Sequence, residues 1–502
     1  MSNNQAKEAE DPMGKATIAV EDLYHIQDTY FPTNPDEKIS KLQKESDLAL
    51  NLLDSVPQEQ RKSPLQRATY EYLRGKILDV FPDYRKEAED HLSKAVKLNP
   101  SLADAWLCLG NCIWKKGDLS SAKNCFTLAL SKGPNKKILC QLSMLERRMA
   151  QGTENEAELV EESIQHAKEA ITLDVKDGNS WYNLGNACLT SFFVTGAWDH
   201  SKLRQSSKAY QNAEKDDRMK SNPDLYFNCA TVNKYLENYE RALSGFEAAA
   251  LKDPGLNATE EVQKVVNLLD KLENMLRGHA RSKRLASLSS SLAAVNLNSS
   301  YKRATIDLLL GGLNKAVAVV GKVLFFIKHD NVAPLYYLLC DPNQICFILS
   351  VYGIHSDTSE GELCLPSAET RYCDLSLAVM NAEGPSWLSI ILGFHECMSM
   401  RVLEGTFAFL CGSANSFLTT SFSSSGFLLL PPVNAEVMDK IKEGDQLTLL
   451  EPYFRHFDFS WKEKHYQFKS IRIDFLEQVL VNGKALSSRQ AVRTSIYAQH
   501  KP

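Results

Sequence analysis

The clearest regularity in the chain is a fixed pattern of large and small apolar residues along one stretch of its first half. In residues 103–134 the pattern consists of Trp106, Leu109, Gly110, Ala122, Phe126, Ala129 and Pro134. Gly110 and Ala122 are small where two antiparallel helices would cross, and Trp106 and Phe126 fill the space beside them. The stretch therefore predicts a hairpin of two packed helices.

The same pattern recurs on both sides of this stretch. Upstream, the equivalent positions 34 residues earlier hold Ala88, Leu92, Ala95 and Pro100. Downstream copies are marked by Ala167 and Ala170, by Trp181, Leu184, Gly185, Tyr210 and Ala213, and by Tyr226, Ala230, Ala242, Phe246, Ala249 and Pro254. This spacing is typical of tetratricopeptide repeats, whose helix pairs stack into a solenoid. It predicts an all-α repeat array over residues 69–276, an N-terminal helical cap over 17–68 and a disordered stretch over 1–16.

The composition changes after the repeats. No acidic residue occurs from Asn274 to Ile306, whereas the same stretch contains the basic residues Arg277, Arg281, Lys283, Arg284, Lys302 and Arg303. Residues 277–305 are therefore interpreted as a basic linker.

Runs of β-branched and aromatic residues follow the linker. Five of them are bounded by Asp, Pro, Gly and Asn, as is typical of half-buried antiparallel strands. They predict a five-stranded OB-fold β-barrel formed by residues 306–355 and 436–490. Between these parts, residues 356–435 show no regular period and are interpreted as a disordered insertion. The predicted fold class is α+β multidomain, a repeat solenoid followed by an OB-fold.

The charge balance argues against one class of protein and leaves room for a local charged site. With 57 Lys+Arg and 62 Asp+Glu, the net charge of -5 is small for 502 residues, which argues against a protein that coats nucleic acid. The polar N-terminus and the lack of eighteen consecutive apolar residues predict neither secretion nor membrane spanning, so we expect cytoplasm or nucleus.

A search for catalytic motifs finds no phosphate-binding loop, no H-E-x-x-H and no nucleophile elbow. Cys108 and Cys112 lie one helical turn apart and could touch one metal ion, but two thiols without further ligands are interpreted as packing residues. The sequence therefore predicts a protein that is not an enzyme and that has no cofactor and no metal.

A binding site must instead be found on the groove that the first helix of each repeat lines. The predicted groove residues are Asn111, Trp114, Lys115, Arg147, Asn183, Asn186, Asp224 and Asn228. Asn side chains donate and accept hydrogen bonds, so a row of them can hold the backbone of an extended peptide. Arg147 and Asp224 add opposite charges that suit a peptide with an acid and a base close in sequence. The alternative is that each is a solvated surface residue.

The OB-fold has candidates of its own. Tyr466, Phe468, Lys469 and Arg472 lie on one run and are aromatic and basic, as in a platform for single-stranded nucleic acid. The favoured alternative is that strand alternation divides them between the core and the solvent.

Several segments together resemble one family. KAVKLNP, AWLCLGNCIWKKGD, LSMLERR, DGNSWYNLGN, SNPDLYFN and VNGKALSS are similar to the Strap family, tetratricopeptide-repeat protein five, over about residues 70–355 and 436–490. The resemblance implies an adaptor that recognises the N-terminal peptide of nascent tubulin at the ribosome and triggers tubulin mRNA decay through an effector. It also implies a nuclear cofactor that scaffolds histone acetyltransferase complexes with transcription factors, and hence a cytoplasmic and nuclear location.

Carried onto this chain, the resemblance implies groove contacts at Arg147, Asp224 and Asn228, which match a tubulin N-terminus that has an Arg followed by a Glu. It places the basic residues Arg281, Lys283 and Arg284 where the family faces ribosomal RNA, so that counterion release would supply affinity. Where the family's groove has a further acid, this chain has Ala258, with Glu260 and Glu261 close by.

Overall fold

The computed structural model describes residues 12–153, 155–195, 197, 199–279, 292, 297, 299–329, 331, 333–352, 398–403, 406–411 and 441–486. Within these residues, α-helices occupy the first part of the chain and β-strands the second. The helices are α1 Pro12–Thr29, α2 Pro35–Asp54, α3 Pro64–Leu78, α4 Lys86–Leu98, α5 Ala103–Lys115, α6 Leu119–Leu130, α7 Lys136–Ala150, α8 Glu156–Leu173, α9 Gly178–Val194, α10 His200–Ala213, α11 Pro223–Tyr235, α12 Tyr239–Lys252 and α13 Ala258–His279.

Five helical hairpins form the repeat array, namely α3–α4, α5–α6, α7–α8, α9–α10 and α11–α12. Helices α1 and α2 pack on α3 through an apolar cluster that includes Val20, Leu42 and Ile77. Helix α13 packs on α12 at the other end. The repeat solenoid predicted from the sequence is therefore confirmed.

Local sequence explains where the helices start and how closely they pack. Polar side chains accept a backbone hydrogen bond at the first turn of seven helices: Asn34, Ser63, Asp118, Asn135, Asp177, Asp199 and Asn222. Such caps satisfy N–H groups that have no partner within the helix. A Cβ on Gly110 would collide with the ring of Phe126, and one on Gly185 with the ring of Tyr210, so each glycine lets its helix pair approach.

The strands form a curled sheet, consistent with the predicted OB-fold. They are β1 Lys302–Ala304, β2 Gly312–Leu313, β3 Val317–Ile327, β4 Leu335–Cys340, β5 Cys346–Val351, β8 Gln446–Leu450, β9 Tyr453–Trp461, β10 Lys464–Ile473, β11 Val479–Val481 and β12 Lys484–Ala485. Their order is β12-β11-β8-β3-β4-β5-β10-β9-β2, with β1 beside β3. Strand β10 is parallel to β5 and antiparallel to β9.

One long strand, β9, was not among the five predicted runs. Its charged and polar residues alternate with aromatic ones, for example Arg455 and Asp458 with Phe454 and Phe457, and its side chains are exposed or half-buried except that of Phe454. A strand with this composition lacks the continuous apolar run that marked the other five.

Two further strands, β6 Met398–Leu403 and β7 Thr406–Cys411, form an antiparallel pair in a separate compact unit. The rest of the predicted insertion lies outside the described residues, as do Arg281, Lys283, Arg284 and most of the predicted linker. Helix α1 begins at Pro12, inside the stretch predicted as disordered, and α13 continues to His279, inside the predicted linker.

The repeats and the curled sheet share one apolar core. The cluster contains Leu243 and Leu269 of the helices together with Leu338, Ile348 and Phe468 of the strands. The repeats and the sheet are therefore packed as one unit.

Candidate peptide-binding site

The candidate site is built on α7, α9 and α11, the first helices of three successive repeats. On α7, Arg147 Nη1 donates to the Ser143 carbonyl at 3.1 Å, to Ser143 Oγ at 2.8 Å and to Ser163 Oγ at 3.2 Å. Among the residues that the structure describes, no carboxylate lies within ion-pair distance of this guanidinium. Burial lowers the pKa of Arg147, which shows that its charge is poorly solvated.

A network of amide and phenol groups joins α9 and α11. Asn228 Nδ2 donates to Asn186 Oδ1 at 3.0 Å and to the Tyr182 hydroxyl at 3.2 Å. The hydroxyl of Tyr210 donates to the same Asn186 oxygen at 2.7 Å. The sequence pattern predicted both Asn residues, whereas Tyr182 was not predicted and Tyr210 was identified only as a repeat position.

The two predicted charged residues, Arg147 and Asp224, have opposite effects on the pKa of Tyr182 in this network. Burial raises the pKa of Tyr182, the negative charge of Asp224 adds to the rise, and the positive charge of Arg147 opposes it. The structure thus brings Asn186 and Asn228 together beside Tyr182, and the charges of Arg147 and Asp224 influence the Tyr182 hydroxyl.

On α9 and α11, two buried amide oxygens have no hydrogen-bond partner within the described part of the chain. They are Oδ1 of Asn228 and Oδ1 of Asn183, and both residues are 1% exposed. The amide nitrogen of Asn183 donates to the Asn179 carbonyl of its own helix at 3.0 Å. An unpaired buried acceptor destabilises the fold by about 1–3 kcal/mol, so the Asn228 oxygen is an unused hydrogen-bond acceptor on α11.

The acidic end of the site meets the N-terminal helices. Asp224 lies in the first turn of α11, where Asn222 accepts a hydrogen bond from its backbone N–H at 3.0 Å. Burial lowers the pKa of Lys38 on α2, and the nearby charges of Asp253, Asp28 and Asp224 oppose that shift. Lys38 is therefore a basic neighbour of Asp224, and the sequence pattern gave no sign of it because the two residues are far apart in the chain.

The OB-fold holds the other end of α11. The Tyr352 hydroxyl donates to the Tyr235 carbonyl at 2.8 Å, and Arg455 Nη1 donates to the Leu236 carbonyl at 2.7 Å. A guanidinium at a helix C-terminus is stabilised by the unsatisfied carbonyls and the helix dipole. The strands thereby fix the helix that carries Asn228.

The three predicted groove residues of α5 are not joined to this network. Lys115 Nζ binds Asp79 Oδ1 at 3.0 Å and the Phe81 carbonyl at 2.8 Å, and also the Asp79 carbonyl, so it caps the C-terminal end of α3. Trp114 packs edge-on against Phe126, with ring centroids 6.5 Å apart. Asn111 is half-buried on the same helix.

Ala258, where the resemblance implies a further acid, is apolar and buried in this chain. Ala258 is 1% exposed and belongs to the core between the repeats and the sheet. The nearby Glu261 forms ion pairs with Lys234 at 2.9 Å and Lys264 at 2.7 Å, so its charge is neutralised within the protein.

Three of the four OB-fold candidates are buried, and Lys469, on the other face of the strand, is half-buried. Tyr466 and Phe468 are buried in the core, and the Tyr466 hydroxyl donates to Asp270 Oδ1 at 3.0 Å. Arg472 is also buried and donates to Asp474 Oδ1 at 2.7 Å. These side chains do not form an exposed platform for bases.

Comparison with known proteins identifies the family. The chain aligns with tetratricopeptide repeat protein 5 of Homo sapiens at 37% identity over 378 residues, which is 70% of this chain and 84% of the human protein. The chain belongs to the tetratricopeptide repeat protein 5 family. The Mus musculus member is 36% identical over 374 residues, again 70% of this chain and 84% of the relative. The family model described as the tetratricopeptide repeat protein 5 OB fold domain matches residues 300–363 and 434–495.

Among solved structures, the crystal structure of the APC/C hetero-tetramer Cut9-Hcn1 aligns with a TM-score of 0.35 and 17% identity, covering 45% of this chain and 39% of that chain. The tetratricopeptide repeat protein 5 family is of the scaffold or adaptor type, and the chain is a repeat adaptor with a protein-binding role.

In the part of the chain that the structure describes, no group of three or more His, Cys, Asp or Glu side chains could hold a metal ion. No helix in it is both long and apolar enough to cross a membrane.

Proposed function

We propose that the cluster around Tyr182 binds an extended peptide with an acidic and a basic side chain close together, and that this peptide is the N-terminus of nascent tubulin. Binding at the ribosome then triggers decay of the tubulin mRNA through a recruited effector. The observation that carries the proposal is the Arg147 guanidinium, whose only hydrogen-bond acceptors in the described chain are uncharged.

The chemistry of the cluster favours such a ligand. A carboxylate can form two parallel hydrogen bonds with a guanidinium, and the pair is strongest where both groups are shielded from water. The unpaired Asn228 oxygen would accept a backbone N–H of the peptide, since that oxygen is buried without a partner in the described residues. Asp224 would attract the basic side chain at the other end of the site.

The family supports this assignment through the residues of the site. Arg147, Asp224 and Asn228 are the positions that the resemblance carried over, and a tubulin N-terminus with an Arg followed by a Glu has the matching charges. Contact with the ribosome is assigned to Arg281, Lys283 and Arg284, which would replace counterions on ribosomal RNA.

A binding measurement tests the site. Fluorescence anisotropy with a labelled peptide of the tubulin N-terminus should show binding to the wild type and affinity at least about tenfold lower for Arg147→Ala, because a buried charge pair is lost. Arg148→Ala is the matched control, since the exposed Arg148 follows on the same helix and contacts Gln151. Equal affinities of the wild type and Arg147→Ala would refute the site.

A second measurement tests the ribosomal role. Wild-type protein should co-sediment with ribosomes translating tubulin, whereas a variant with Arg281, Lys283 and Arg284 replaced by Glu should stay in the supernatant and still bind the free peptide. Co-sedimentation of both proteins to the same extent would contradict the assignment of these three residues.

A further inference from the structure

Two cysteines face each other at the end of the hairpin formed by β4 and β5. Cys340 is the last residue of β4, Cys346 is the first residue of β5, and the two are direct partners in the antiparallel register. Both are free thiols.

The hydrogen bonds of the hairpin show which kind of antiparallel residue pair Cys340 and Cys346 form. The Asp341 N–H donates to the Ile345 carbonyl at 3.0 Å, so Asp341 and Ile345 form a hydrogen-bonded pair. Since such pairs alternate along antiparallel strands, Cys340 and Cys346 form a non-hydrogen-bonded pair, with Cα atoms about 4.5 Å apart and side chains close together. A disulfide needs Cα atoms about 4.4–6.8 Å apart, so the strands already meet this requirement.

The turn between the two cysteines is held by one carboxylate. Asp341 Oδ1 accepts from the backbone N–H of Asn343 at 2.9 Å and of Ile345 at 2.8 Å, and Oδ2 accepts from the Ile306 N–H at 3.2 Å. These bonds fix the turn and keep the two thiols opposite each other.

The two thiols differ in access and in acidity. Cys340 is fully buried, whereas Cys346 is half-buried. The Cys340 thiol donates to the Asp341 carbonyl at 3.3 Å. Interaction with the Cys340 side chain lowers the pKa of Cys346, although burial and the Asp341 carboxylate oppose this shift. By contrast, burial raises the pKa of Cys108 on α5 to about 12. Because the thiolate is the nucleophile, Cys346 is the reactive member of the pair and Cys340 is placed to resolve its oxidised form.

We propose that Cys340 and Cys346 form a reversible disulfide when the protein meets a hydroperoxide. The Cys346 thiolate attacks the terminal peroxide oxygen, an S–O bond forms, the O–O bond breaks, and hydroxide or alkoxide leaves and takes up a proton. Cys340 then attacks the sulfenic sulfur of Cys346, the S–S bond forms, and hydroxide leaves with the Cys340 proton as water. Two thiols are oxidised, hydrogen peroxide is reduced to two waters, and a dithiol reverses the bridge by exchange.

The cysteine pair lies at the apolar core through which the sheet packs on the helices. Cys340 belongs to the shared apolar core, and Cys346 packs against that core. Helix α13 contacts β5, the strand that begins with Cys346. A bridge between the strand ends would therefore fix the part of the sheet on which α13 rests.

Mass spectrometry of the full chain tests the proposal. After treatment with hydrogen peroxide, the protein is denatured, alkylated with N-ethylmaleimide and cut with chymotrypsin, which releases the segment 340–347 with these two cysteines alone. We expect this peptide to lose about 2 Da and take up no alkyl group, and a dithiol to restore full alkylation. The change should be absent in Cys346→Ser and in Cys340→Ala.

Cys229→Ser is the matched control, because Cys229 is half-buried on α11 and its burial raises its pKa to about 11. This variant should form the bridge as the wild type does. Alkylation of both cysteines after peroxide treatment, or a sulfinic acid on Cys346 with Cys340 alkylated, would overturn the proposal.

Discussion

The hairpins α5–α6 and α7–α8 each carry a basic side chain near the C-terminal end of the first helix, but the two side chains have different partners. Lys115 is bound by Asp79 and by two carbonyls at the end of α3. Arg147 is bound by a carbonyl and two Ser hydroxyls. Similar positions in neighbouring repeats thus serve different purposes, and the partner of a charge indicates whether the charge is structural or available to a ligand.

The comparison predicts its largest effect for Lys115→Ala. Asp79 is 4% exposed on its side chain, and burial already raises its pKa to about 6 although Lys115 opposes the rise. Removing the ammonium leaves a buried carboxylate, so the free energy of unfolding should fall by about 3 kcal/mol in denaturant titrations. The folded variant should bind the peptide with unchanged affinity, and a loss of affinity without a loss of stability would reverse the roles of the two basic residues.

A smaller effect is expected for the amide at the centre of the site. Asn228→Ala removes the bonds to Asn186 and Tyr182 and the acceptor assigned to the peptide, so affinity measured by anisotropy should fall about tenfold. Asn233→Ala is the control on the same helix, because that amide donates to the Cys229 carbonyl at 2.9 Å. If both variants bound like the wild type, the network would have only a structural role.

A substitution of Lys38 tests how a basic side chain near Asp224 affects peptide binding. Lys38→Met removes a basic neighbour of Asp224, so a peptide with a basic side chain should bind about threefold more tightly at low salt. Lys41→Met on the same helix is the matched control and should have no effect. Lys38 lies over the Phe31 ring and Lys41 over the Tyr30 ring, both at 4.2 Å, but it is Lys38 whose pKa the charge of Asp224 influences. Weaker binding by Lys38→Met would show that Lys38 supports the site instead of competing for it.

The smallest predicted effect concerns Glu146, the residue directly before Arg147 in the chain. Glu146 is buried and is paired with His166 at 2.8 Å and Lys123 at 3.3 Å, and its hydrogen bond raises the pKa of His166 above the ordinary 6.5. The stabilisation is therefore complete below pH 6.5 and is lost as the pH rises through the folded-state pKa. Since His166 is partly exposed, the free energy of unfolding should fall by only about 0.5 kcal/mol across this range.

Denaturant titrations at several pH values measure this change. His166→Gln should show a flatter pH dependence than the wild type above pH 6.5. A stability that rises over that range in the wild type relative to His166→Gln would contradict the sign of the shift.

Much of the fold could be predicted because its determinants are local or periodic. A small residue such as Gly110 and a large one such as Phe126 recur at equivalent places in the repeats and define the helix crossings. Five apolar runs define most of the sheet. Strand β9 was missed because its charged and aromatic residues alternate and contribute no continuous apolar run.

The site could be predicted only where a residue type itself suggests a role. Arg147 and Asn228 were identified from charge and hydrogen-bonding capacity. The roles of Tyr182 and Ser163 depend on which helices become neighbours, and that of Lys38 depends on how the first helices meet the last repeat. The internal use of Lys115 depends in the same way on Asp79, which belongs to another helix pair.

A charge exchange between protein and peptide tests the central claim most directly. The experiment compares the affinities of the wild type and of Arg147→Glu for two peptides. One is the tubulin N-terminal peptide, and the other is the same peptide with its Glu replaced by Arg. Arg147→Glu should bind the natural peptide about 100-fold more weakly than the wild type and should bind the exchanged peptide more tightly than the wild type does. If Arg147→Glu bound the natural peptide as the wild type does and gained nothing with the exchanged one, Arg147 would not be the receptor of the peptide's acid.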